Sequence, residues 1–167
     1  MINFTFNNFL IYFLIAWGAN IALNFLYIIK RYIPEFKNLN YPLDFGLTYK
    51  GERLLGDSVN IIGFIFCLFI SLSLYFFIHN LAWSIIPVIV YIGNLLGSFI
   101  KRRVHKKSGE FMPLVDHGDY MILLGFIFIL KGYISFSFAL SALLLTYLLH
   151  PLACLLAFKL KLRERPY

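Results

Sequence analysis

The sequence predicts an all-α integral membrane protein with about five transmembrane helices, its N-terminus outside the cell and its C-terminus in the cytoplasm. Sixty per cent of its 167 residues are hydrophobic and 14% are charged, and the mean hydropathy is +0.78. Water-soluble domains average about 45–50% apolar and about 25% charged residues. The apolar residues also fall into runs of about 20, the length of a helix that crosses a bilayer.

Five such runs follow one another along residues 1–167, which we treat as one membrane-embedded domain. The predicted spans are approximately 9–29, 59–78, 81–100, 116–131 and 133–158. Only two residues separate the second span from the third, which predicts a tight helical hairpin. The two long polar connections are residues 30–58 and 101–115.

The first span is predicted to be an uncleaved helix. Its positive charges, Lys30 and Arg31, follow the apolar run, whereas a signal peptide carries its positive charge before the run and a small-residue cleavage site after it. Asn20 and Asn24 interrupt the run. Polar groups at bilayer depth usually face other helices or a cavity, and we interpret these two as contacts between helices.

The fourth span is short. Its apolar stretch from Tyr120 to Leu130 has 11 residues, about half of what a full crossing requires. The helix approaches bilayer length only if it begins near Asp116, which would place Asp116 and Asp119 at or below the head-group level. Carboxylates at that depth are costly unless they face water or bind a cation. These two aspartates are therefore candidates for function.

The last span is 26 residues long, so it must tilt, kink near Pro151 or project from the bilayer. His150, beside that proline, is interpreted as a packed or hydrogen-bonded histidine, with a role facing a cavity as the alternative. Cys67 and Cys154 lie in separate apolar stretches without metal-ligand spacing. They are interpreted as small buried residues.

The distribution of cations predicts the orientation. Of the 15 Lys and Arg residues, five lie in the first long connection, five in the second and four in the C-terminal tail, which leaves Lys131 on the opposite side. Cationic connections stay in the cytoplasm. The protein is therefore predicted to cross the cell (inner) membrane several times with its polar loops facing the nucleotide pool. Topology and anionic lipid explain the net charge of +7, so nucleic acid is not a predicted partner.

The second long connection combines cations with carboxylates. Its five cations are Lys101, Arg102, Arg103, Lys106 and Lys107. Asp116 and Asp119 follow, three residues apart and so on one helix face. Carboxylate oxygens hold a divalent metal and cations meet the charge of the phosphates that it carries, which predicts a phosphate site. The alternative is that the aspartates only cap a helix and that the cations only set topology.

The first long connection contains the glycine-rich string PLDFGLTYKGERLLGDS, from residue 42 to 58. Glycines allow a backbone to approach a ligand closely, and Lys50 and Arg53 are long enough to reach a phosphate. No spacing in the string matches the phosphate-binding P-loop. A solvated interfacial loop is the alternative interpretation.

Together these strings resemble a known family. GNLLGSFIKRR and SGEFMPLVDHGDY are similar to the cytoplasmic signature of the CTP-dependent lipid cytidylyltransferases, and the short chain with five spans most resembles the CDP-archaeol synthase family, relatives of CDP-diacylglycerol synthase. LDFGLTYKGERLLGDSVNIIG is similar to that family's first cytoplasmic segment, where a glycine-rich stretch leads to Arg-x-x-Gly-Asp, here Arg53, Gly56 and Asp57. The resemblance covers residues 43 to about 125.

The resemblance implies a transferase of phospholipid biosynthesis that uses CTP and Mg²⁺. Its lipid substrate is expected to be an archaeal-type 2,3-dialkyl glycerol phosphate or phosphatidate, and its products a CDP-lipid and pyrophosphate. Asp116 and Asp119 are expected to hold the metal with help from Asn94, while Lys101 and Arg102 act as catalytic cations on the phosphates. The expected substrate contacts are Ser98, Asn94, Arg53, Asp57, Lys50 and Arg103.

The chain also departs from the family pattern. Asn94 stands where the family usually has an aspartate after the glycine that Gly93 matches, and Val59, Asn60 and Ile62 stand where the family tends to have lysine, threonine and arginine. Either the site uses other cations, or the substrate differs, or this member is impaired.

Two other functional classes remain as alternatives. A non-catalytic or degenerate membrane scaffold requires only packing and topology signals. A small transporter subunit should carry polar residues along several spans or internal repeats, and neither is clear in this sequence. The Asp-Gly-x-x-Ala-Arg signature of CDP-alcohol phosphotransferases is absent. The oligomeric state does not follow from the sequence.

Overall fold

The computed structural model describes residues 5–33, 41–56, 59–106 and 110–162. The helices are α1 (Phe6–Tyr32), α2 (Ile61–Ile78), α3 (Leu81–Ser84), α4 (Ile86–Arg103), α5 (Pro113–Leu130) and α6 (Phe136–Lys159), and two short strands, β1 (Thr48–Tyr49) and β2 (Glu52–Arg53), precede α2. With α3 and α4 taken together as one crossing, five helical segments among the described residues are long and apolar enough to cross a membrane. This confirms the predicted helical class and number of spans.

Polar side chains define where most of the helices begin. The caps are Thr5 for α1, Asn60 for α2, Asn80 for α3 and Ser135 for α6, and each accepts a hydrogen bond from a backbone N–H in the first turn. Such caps satisfy amide groups that have no partner within the helix. The short polar breaks in an otherwise apolar sequence therefore set the helix boundaries.

The core lies where α1, α4, α5 and α6 meet. Tyr12 of α1 packs edge-on against Phe128 of α5 and Phe138 of α6, with ring centroids 5.5 and 5.3 Å apart. Ile86 and Val90 of α4 complete this fully buried cluster. By contrast, the buried residues of α2 are Gly63 and Cys67, and its other residues are half-buried or exposed, as expected of a helix whose solvent is lipid.

Two glycines bring α4 and α5 into close contact. A side chain at Gly93 would collide with the backbone of Tyr120, and one at Gly97 would collide with the carboxylate of Asp119. Small residues spaced four apart allow helix backbones to approach closely in a membrane. This seam places Asp119 directly on the surface of α4.

The predicted limits of the fourth and fifth spans shift in the structure. Helix α5 begins at Pro113, with Met112 as its N-cap, so Asp116 lies in the first turn and not at the cap. Proline suits the first position of a helix because its φ is already helical and it has no N–H to satisfy. Helix α6 begins at Phe136 because Gly132 (φ +66°) turns the chain and Ser135 caps the helix.

A small β-hairpin in the first connection was not predicted. Its strands pair Thr48 with Arg53 and Tyr49 with Glu52. The two loop residues, Lys50 and Gly51, have φ of 53° and 80°. Positive φ at both central residues is characteristic of tight hairpin turns, and it fixes the path of this connection beside the end of α4.

Candidate active site

The candidate site forms at one end of the bundle, where the first connection, the end of α4 and the start of α5 meet. Three polar contacts join these segments: Lys101 Nζ to Asp116 Oδ1 at 2.7 Å, Gly56 N to Ser98 Oγ at 2.8 Å, and Arg103 Nη2 to Arg53 O at 3.0 Å. Residues that the sequence analysis singled out in three separate segments are therefore brought together.

Asp116 is held from two sides. Its Oδ1 pairs with Lys101, whose side chain is mostly buried, and its Oδ2 accepts a hydrogen bond of 2.7 Å from the backbone N–H of Met112. The second bond ties the carboxylate to the start of its own helix, as the acidic residue of a capping box does. Asp116 therefore combines a helix-terminal role with a charge pair across the α4–α5 seam.

Asp119 lies one turn further along α5. Its Oδ1 accepts a 2.7 Å hydrogen bond from the N–H of Tyr120, and its Oδ2 packs against Gly97. Asp116 and Asp119 are three positions apart in α5, so their side chains project from the same side of the helix. The prediction that the two aspartates share one face of the helix therefore agrees with their arrangement.

Asn94 is oriented by a residue that the sequence analysis interpreted only as a packing contact. Its Nδ2 donates to Oδ1 of Asn20 at 3.2 Å, and Asn20, which is 9% exposed, also accepts from Asn24 Nδ2 through its backbone oxygen. The amide nitrogen of Asn94 therefore faces α1. The polar interruption of the first span was the available signal for Asn20.

Arg102 is the buried cation of the site. It is 8% exposed, and within the described segments its Nε has no hydrogen-bond partner and no carboxylate forms an ion pair with it. A buried charge without a partner is costly. The guanidinium is thus suited to meet an anionic ligand.

The remaining polar residues of α4 hold the first connection in place. Ser98 accepts a hydrogen bond from Gly56 N, which leaves the hydroxyl proton of Ser98 able to donate to a ligand. Arg103 lies over the rings of Tyr49 and Phe99, with its guanidinium carbon 5.3 and 5.1 Å from their centroids. The cation–π contact with Tyr49 fixes the hairpin against α4, and the contact with Phe99 lies within α4.

Asp44 organises the first connection and was missed as a key residue. Its buried carboxylate accepts from Gly46 N at 3.1 Å, Arg53 Nη2 at 2.8 Å and Leu55 N at 3.0 Å. Burial by itself would raise the pKa of Asp44, but these hydrogen bonds and the Arg53 charge outweigh it and hold the pKa below its ordinary value. The sequence offered no spacing that pairs residue 44 with residues 53 and 55.

Three residues predicted to bind substrate are placed differently from the rest. Arg53 lies in the first connection with one guanidinium nitrogen bonded to Asp44. Lys50 occupies the exposed hairpin tip, with its Nζ 5.6 Å from the centroid of the Tyr49 ring, and no described contact links it to the aspartates. Asp57 lies outside the residues that the structure describes.

His117 of α5 is buried and contacts the last helix. Its Nδ1 lies 2.6 Å from Nδ1 of His150 on α6, which confirms the interpretation of His150 as a hydrogen-bonded histidine. Cys154 is buried beside it, with its Sγ 3.5 Å from the same nitrogen. The contact between His117 and His150 joins the start of α5 to the last helix.

Comparison with known proteins identifies the family. A family model described as "CarS-like: CDP-archaeol synthase" matches residues 68–167, which is more than half of the chain. The chain belongs to the CDP-archaeol synthase family. The family predicted from the sequence is therefore confirmed, and with it the predicted class of enzyme, a nucleotidyltransferase.

Curated relatives extend the similarity over most of the chain. The CDP-archaeol synthase of Thermofilum pendens is 30% identical over 171 residues, covering 89% of this chain and 82% of the relative. That of Pyrobaculum islandicum is 26% identical over 166 residues, covering 95% and 98%. That of Methanocaldococcus jannaschii is 30% identical over 164 residues, covering 83% and 92%. No solved structure matches the chain significantly.

Two of the residues that depart from the CDP-archaeol synthase pattern, Val59 and Asn60, have structural roles here. Val59 is buried, and its backbone oxygen accepts from Leu43 N at 3.2 Å. Asn60 caps α2 through its side chain and accepts from Tyr91 Oη at 2.6 Å through its backbone oxygen. These positions therefore anchor the first connection to α2. Nothing in the structure explains Ile62.

The described residues contain no metal cage built from protein side chains alone. Within residues 5–33, 41–56, 59–106 and 110–162, no three His, Cys, Asp or Glu side chains converge on one point. Mg²⁺ is commonly bound by one or two carboxylates together with water and substrate phosphates. Asp116 and Asp119, one turn apart on α5, are carboxylates of the kind that such a site uses.

Proposed function

We propose that this member of the CDP-archaeol synthase family transfers the cytidylyl group of CTP to the phosphate of a 2,3-dialkyl glycerol phosphate, giving a CDP-lipid and pyrophosphate. The observation that carries the proposal is the cluster of Lys101, Arg102, Asp116 and Asp119 at one end of a membrane-spanning bundle. The names of the relatives favour the ether lipid over phosphatidate.

The reaction requires positioning and charge neutralisation more than acid–base chemistry. An oxygen of the lipid phosphate attacks the α-phosphorus of CTP, a new P–O bond forms, and the bond to the departing pyrophosphate breaks in line with it. The lipid phosphate is already ionised near neutral pH, so no general base is needed. Lys101 and Arg102 neutralise charge on the phosphates, and Ser98 donates a hydrogen bond.

The Lys101–Asp116 pair supplies one group for the nucleotide phosphates and one for the metal that accompanies them. Lys101 Nζ lies 2.7 Å from Asp116 Oδ1, so the two opposite charges neutralise each other. When a nucleotide binds, Lys101 is expected to turn to its phosphates, which frees an oxygen of Asp116. Magnesium held by Asp116, Asp119 and Asn94 would then neutralise charge on the triphosphate.

We place the site at the cytoplasmic face of the cell membrane. All five cations of the first connection, all five of the second and the four of the tail belong to the same side of the predicted topology. This is the side that the positive-inside rule assigns to the cytoplasm, and CTP is available there. The lipid phosphate approaches the same site from the inner leaflet.

The test is an assay of the purified full chain in lipid nanodiscs with CTP and Mg²⁺. We expect pyrophosphate release and a CDP-lipid by mass spectrometry with 2,3-dialkyl glycerol phosphate, less product with phosphatidate, and none after chelation of Mg²⁺. Asp119→Asn serves as the matched inactive control. Absence of product with either lipid, while the Thermofilum pendens relative is active in the same assay, would refute the proposal.

A further inference from the structure

The last helix, α6, contacts the start of α5 at the level of the two aspartates. Tyr147 Oη donates a 2.6 Å hydrogen bond to the backbone oxygen of Leu114, which lies in the first turn of α5. The ring of Tyr147 also packs against Gly118. One side chain of α6 therefore contacts both the beginning of α5 and the residue that lies directly before Asp119.

Gly118 makes room for the ring of Tyr147. A Cβ atom at position 118 would lie 2.5 Å from Tyr147 Oη and 2.8 Å from its Cζ, whereas carbon atoms that are not bonded to each other pack at about 3.5–4.0 Å. The glycine in the string Asp-His-Gly-Asp, residues 116–119, is therefore required by the contact with α6.

Two helices contact the start of α5 from different sides. Helix α4 contacts the aspartates, with Lys101 at Asp116 and Gly97 at Asp119. Helix α6 contacts positions 114, 117 and 118. At about 100° per residue, these three positions lie on roughly the opposite side of α5 from the two aspartates. Helix α6 therefore supports α5 from behind the site.

Helix α6 is itself held in place at this level. Thr146, next to Tyr147, accepts a 3.3 Å hydrogen bond from Trp17 Nε1 of α1. The ring of His150, three positions beyond Tyr147 on the same face of α6, packs edge-on against the ring of Trp17, with centroids 6.3 Å apart. Contacts with α1 therefore fix the segment of α6 that carries the Tyr147 hydroxyl.

The start of α5 needs support from outside the helix. Its N-cap residue, Met112, makes no side-chain capping hydrogen bond, and a helix end without such a cap leaves backbone groups without partners. Groups that bind a metal or a substrate must be held to within about 0.5 Å of their working positions. The hydroxyl of Tyr147 supplies a restraint on this turn from a neighbouring helix.

We propose that Tyr147 is a positioning residue, which holds the turn of α5 that carries Asp116 and Asp119 in the orientation that binds Mg²⁺. Gly118 admits its ring, and the backbone oxygen of Leu114 accepts its hydroxyl proton. The inference deepens the proposed function and rests on it. Because the hydrogen bond is made to the backbone of α5, Tyr147 acts on the carboxylates through the helix.

Tyr147→Phe removes only the hydroxyl group and provides the first test. In nanodiscs with CTP and 2,3-dialkyl glycerol phosphate, the variant should need about tenfold more Mg²⁺ for half-maximal activity, while kcat at saturating Mg²⁺ should stay near that of the parent. A tyrosine that only helped the chain to fold would lower kcat without moving the Mg²⁺ requirement. Ser141→Ala is the matched control, because this hydroxyl of α6 bonds to Ser137 O within its own helix.

Hydrogen exchange tests the restraint on α5 without relying on catalysis. The full chain is measured in nanodiscs without metal or nucleotide. Amides of residues 113–120 should exchange roughly fivefold faster in Tyr147→Phe than in the parent, the effect of losing one neutral hydrogen bond. Exchange in α2 should not change, and Ser141→Ala should match the parent throughout. The inference requires both the faster exchange and the higher Mg²⁺ requirement, and the absence of either would overturn it.

Gly118→Ala tests the packing of the ring. In the parent, the added methyl group should displace Tyr147 and raise the Mg²⁺ requirement. In a Tyr147→Ala background it should add little, because the ring that it would meet is gone. Equal effects of Gly118→Ala in the two backgrounds would show that Gly118 does not act through Tyr147.

The two proposals fail in different ways. If the parent chain makes no CDP-lipid, the proposed function fails, and exchange at residues 113–120 still decides whether Tyr147 holds the turn. If the parent is active and Tyr147→Phe keeps the Mg²⁺ requirement of the parent, the inference about Tyr147 is wrong while the function stands. A lower kcat with an unchanged Mg²⁺ requirement would contradict it as well, because that result indicates a role in folding only.

Discussion

The two ends of the helix bundle use similar polar side chains in different ways. At the end formed by the turns before α3 and α6, each capping side chain bonds only to backbone N–H groups of the turn that follows it. Asn80 accepts from the N–H groups of Ala82 and Trp83 at 3.0 and 3.3 Å, and Ser135 accepts from Phe138 N at 3.2 Å. None of these contacts spans more than three residues, so each stabilises one turn.

At the site end, the polar contacts join distant parts of the chain. The sequence separations are 15 for Lys101 and Asp116, 42 for Ser98 and Gly56, 50 for Arg103 and Arg53, and 53 for His105 and Glu52. Holding separate segments together costs conformational entropy. A cap that closes a single turn does not carry this cost. Long-range polar contacts concentrated at one end therefore indicate where the chain assembles a site.

The largest expected effect is that of Asp119→Asn. Asparagine keeps the size of the side chain against Gly97 but removes its charge, so we expect kcat to fall about 1,000-fold with little change in the midpoint of thermal unfolding. Initial rates of CDP-lipid formation and a thermal melt measure the two quantities. Asn94→Asp is the companion variant and should lower the Mg²⁺ concentration that gives half-maximal activity. An Asp119→Asn variant within a few-fold of the parent would remove this residue from the site.

The next largest effect distinguishes the site end of the bundle from the opposite end. Lys101→Met should lower kcat/KM for CTP about 100-fold, because it removes the cation next to Asp116 and leaves that carboxylate unpaired. Lys131→Met is the matched control, since Lys131 is an exposed lysine at the far end of α5, and its activity should equal that of the parent. Equal losses in both variants would mean that the ends do not differ in function.

An intermediate effect concerns the first connection and depends on pH. The folded-state pKa of Asp44 is below its ordinary value, so its stabilising contribution is present above the unfolded pKa of about 3.9 and is lost as pH falls through the folded pKa. At pH 7 the amides of Gly46 and Leu55 should be protected from hydrogen exchange in the parent and much less so in Asp44→Asn.

The two proteins should converge as the pH is lowered below about 3.9. Exchange rates corrected for the intrinsic effect of pH provide the measurement. A difference between parent and variant that stays constant down to pH 2 would show that the carboxylate charge of Asp44 does not hold the connection.

The smallest effect is expected at the opposite end. Asn80→Ala removes the cap of α3 and should lower the free energy of unfolding by about 1 kcal/mol. The activity of each folded molecule should be unchanged, because these hydrogen bonds reach only Ala82 and Trp83. Denaturant titration and initial rates at saturating CTP separate stability from activity. A fall in kcat would show that the two ends are coupled.

Several features of the site were predictable, for reasons that lie in contiguous sequence. Asp116 and Asp119 are close together because residues three apart share a helix face, and Lys101 lies near them because a short connection joins α4 to α5. The partnership of Asn20 with Asn94 was not predictable, since it links residues 74 apart. The partners of Asp44 were not predictable either, because the turn of the β-hairpin determines which groups lie beside its carboxylate.

What the amino-acid sequence alone determined is the membrane class, the five spans and the family, because run length, hydropathy and motif spacing are properties of neighbouring residues. Only the tertiary structure decided which cation meets which carboxylate and how closely Gly97 lets Asp119 approach α4. The physical reason is that these contacts depend on the packing of helices that are distant along the chain, and their free energy exists only once those helices are in place.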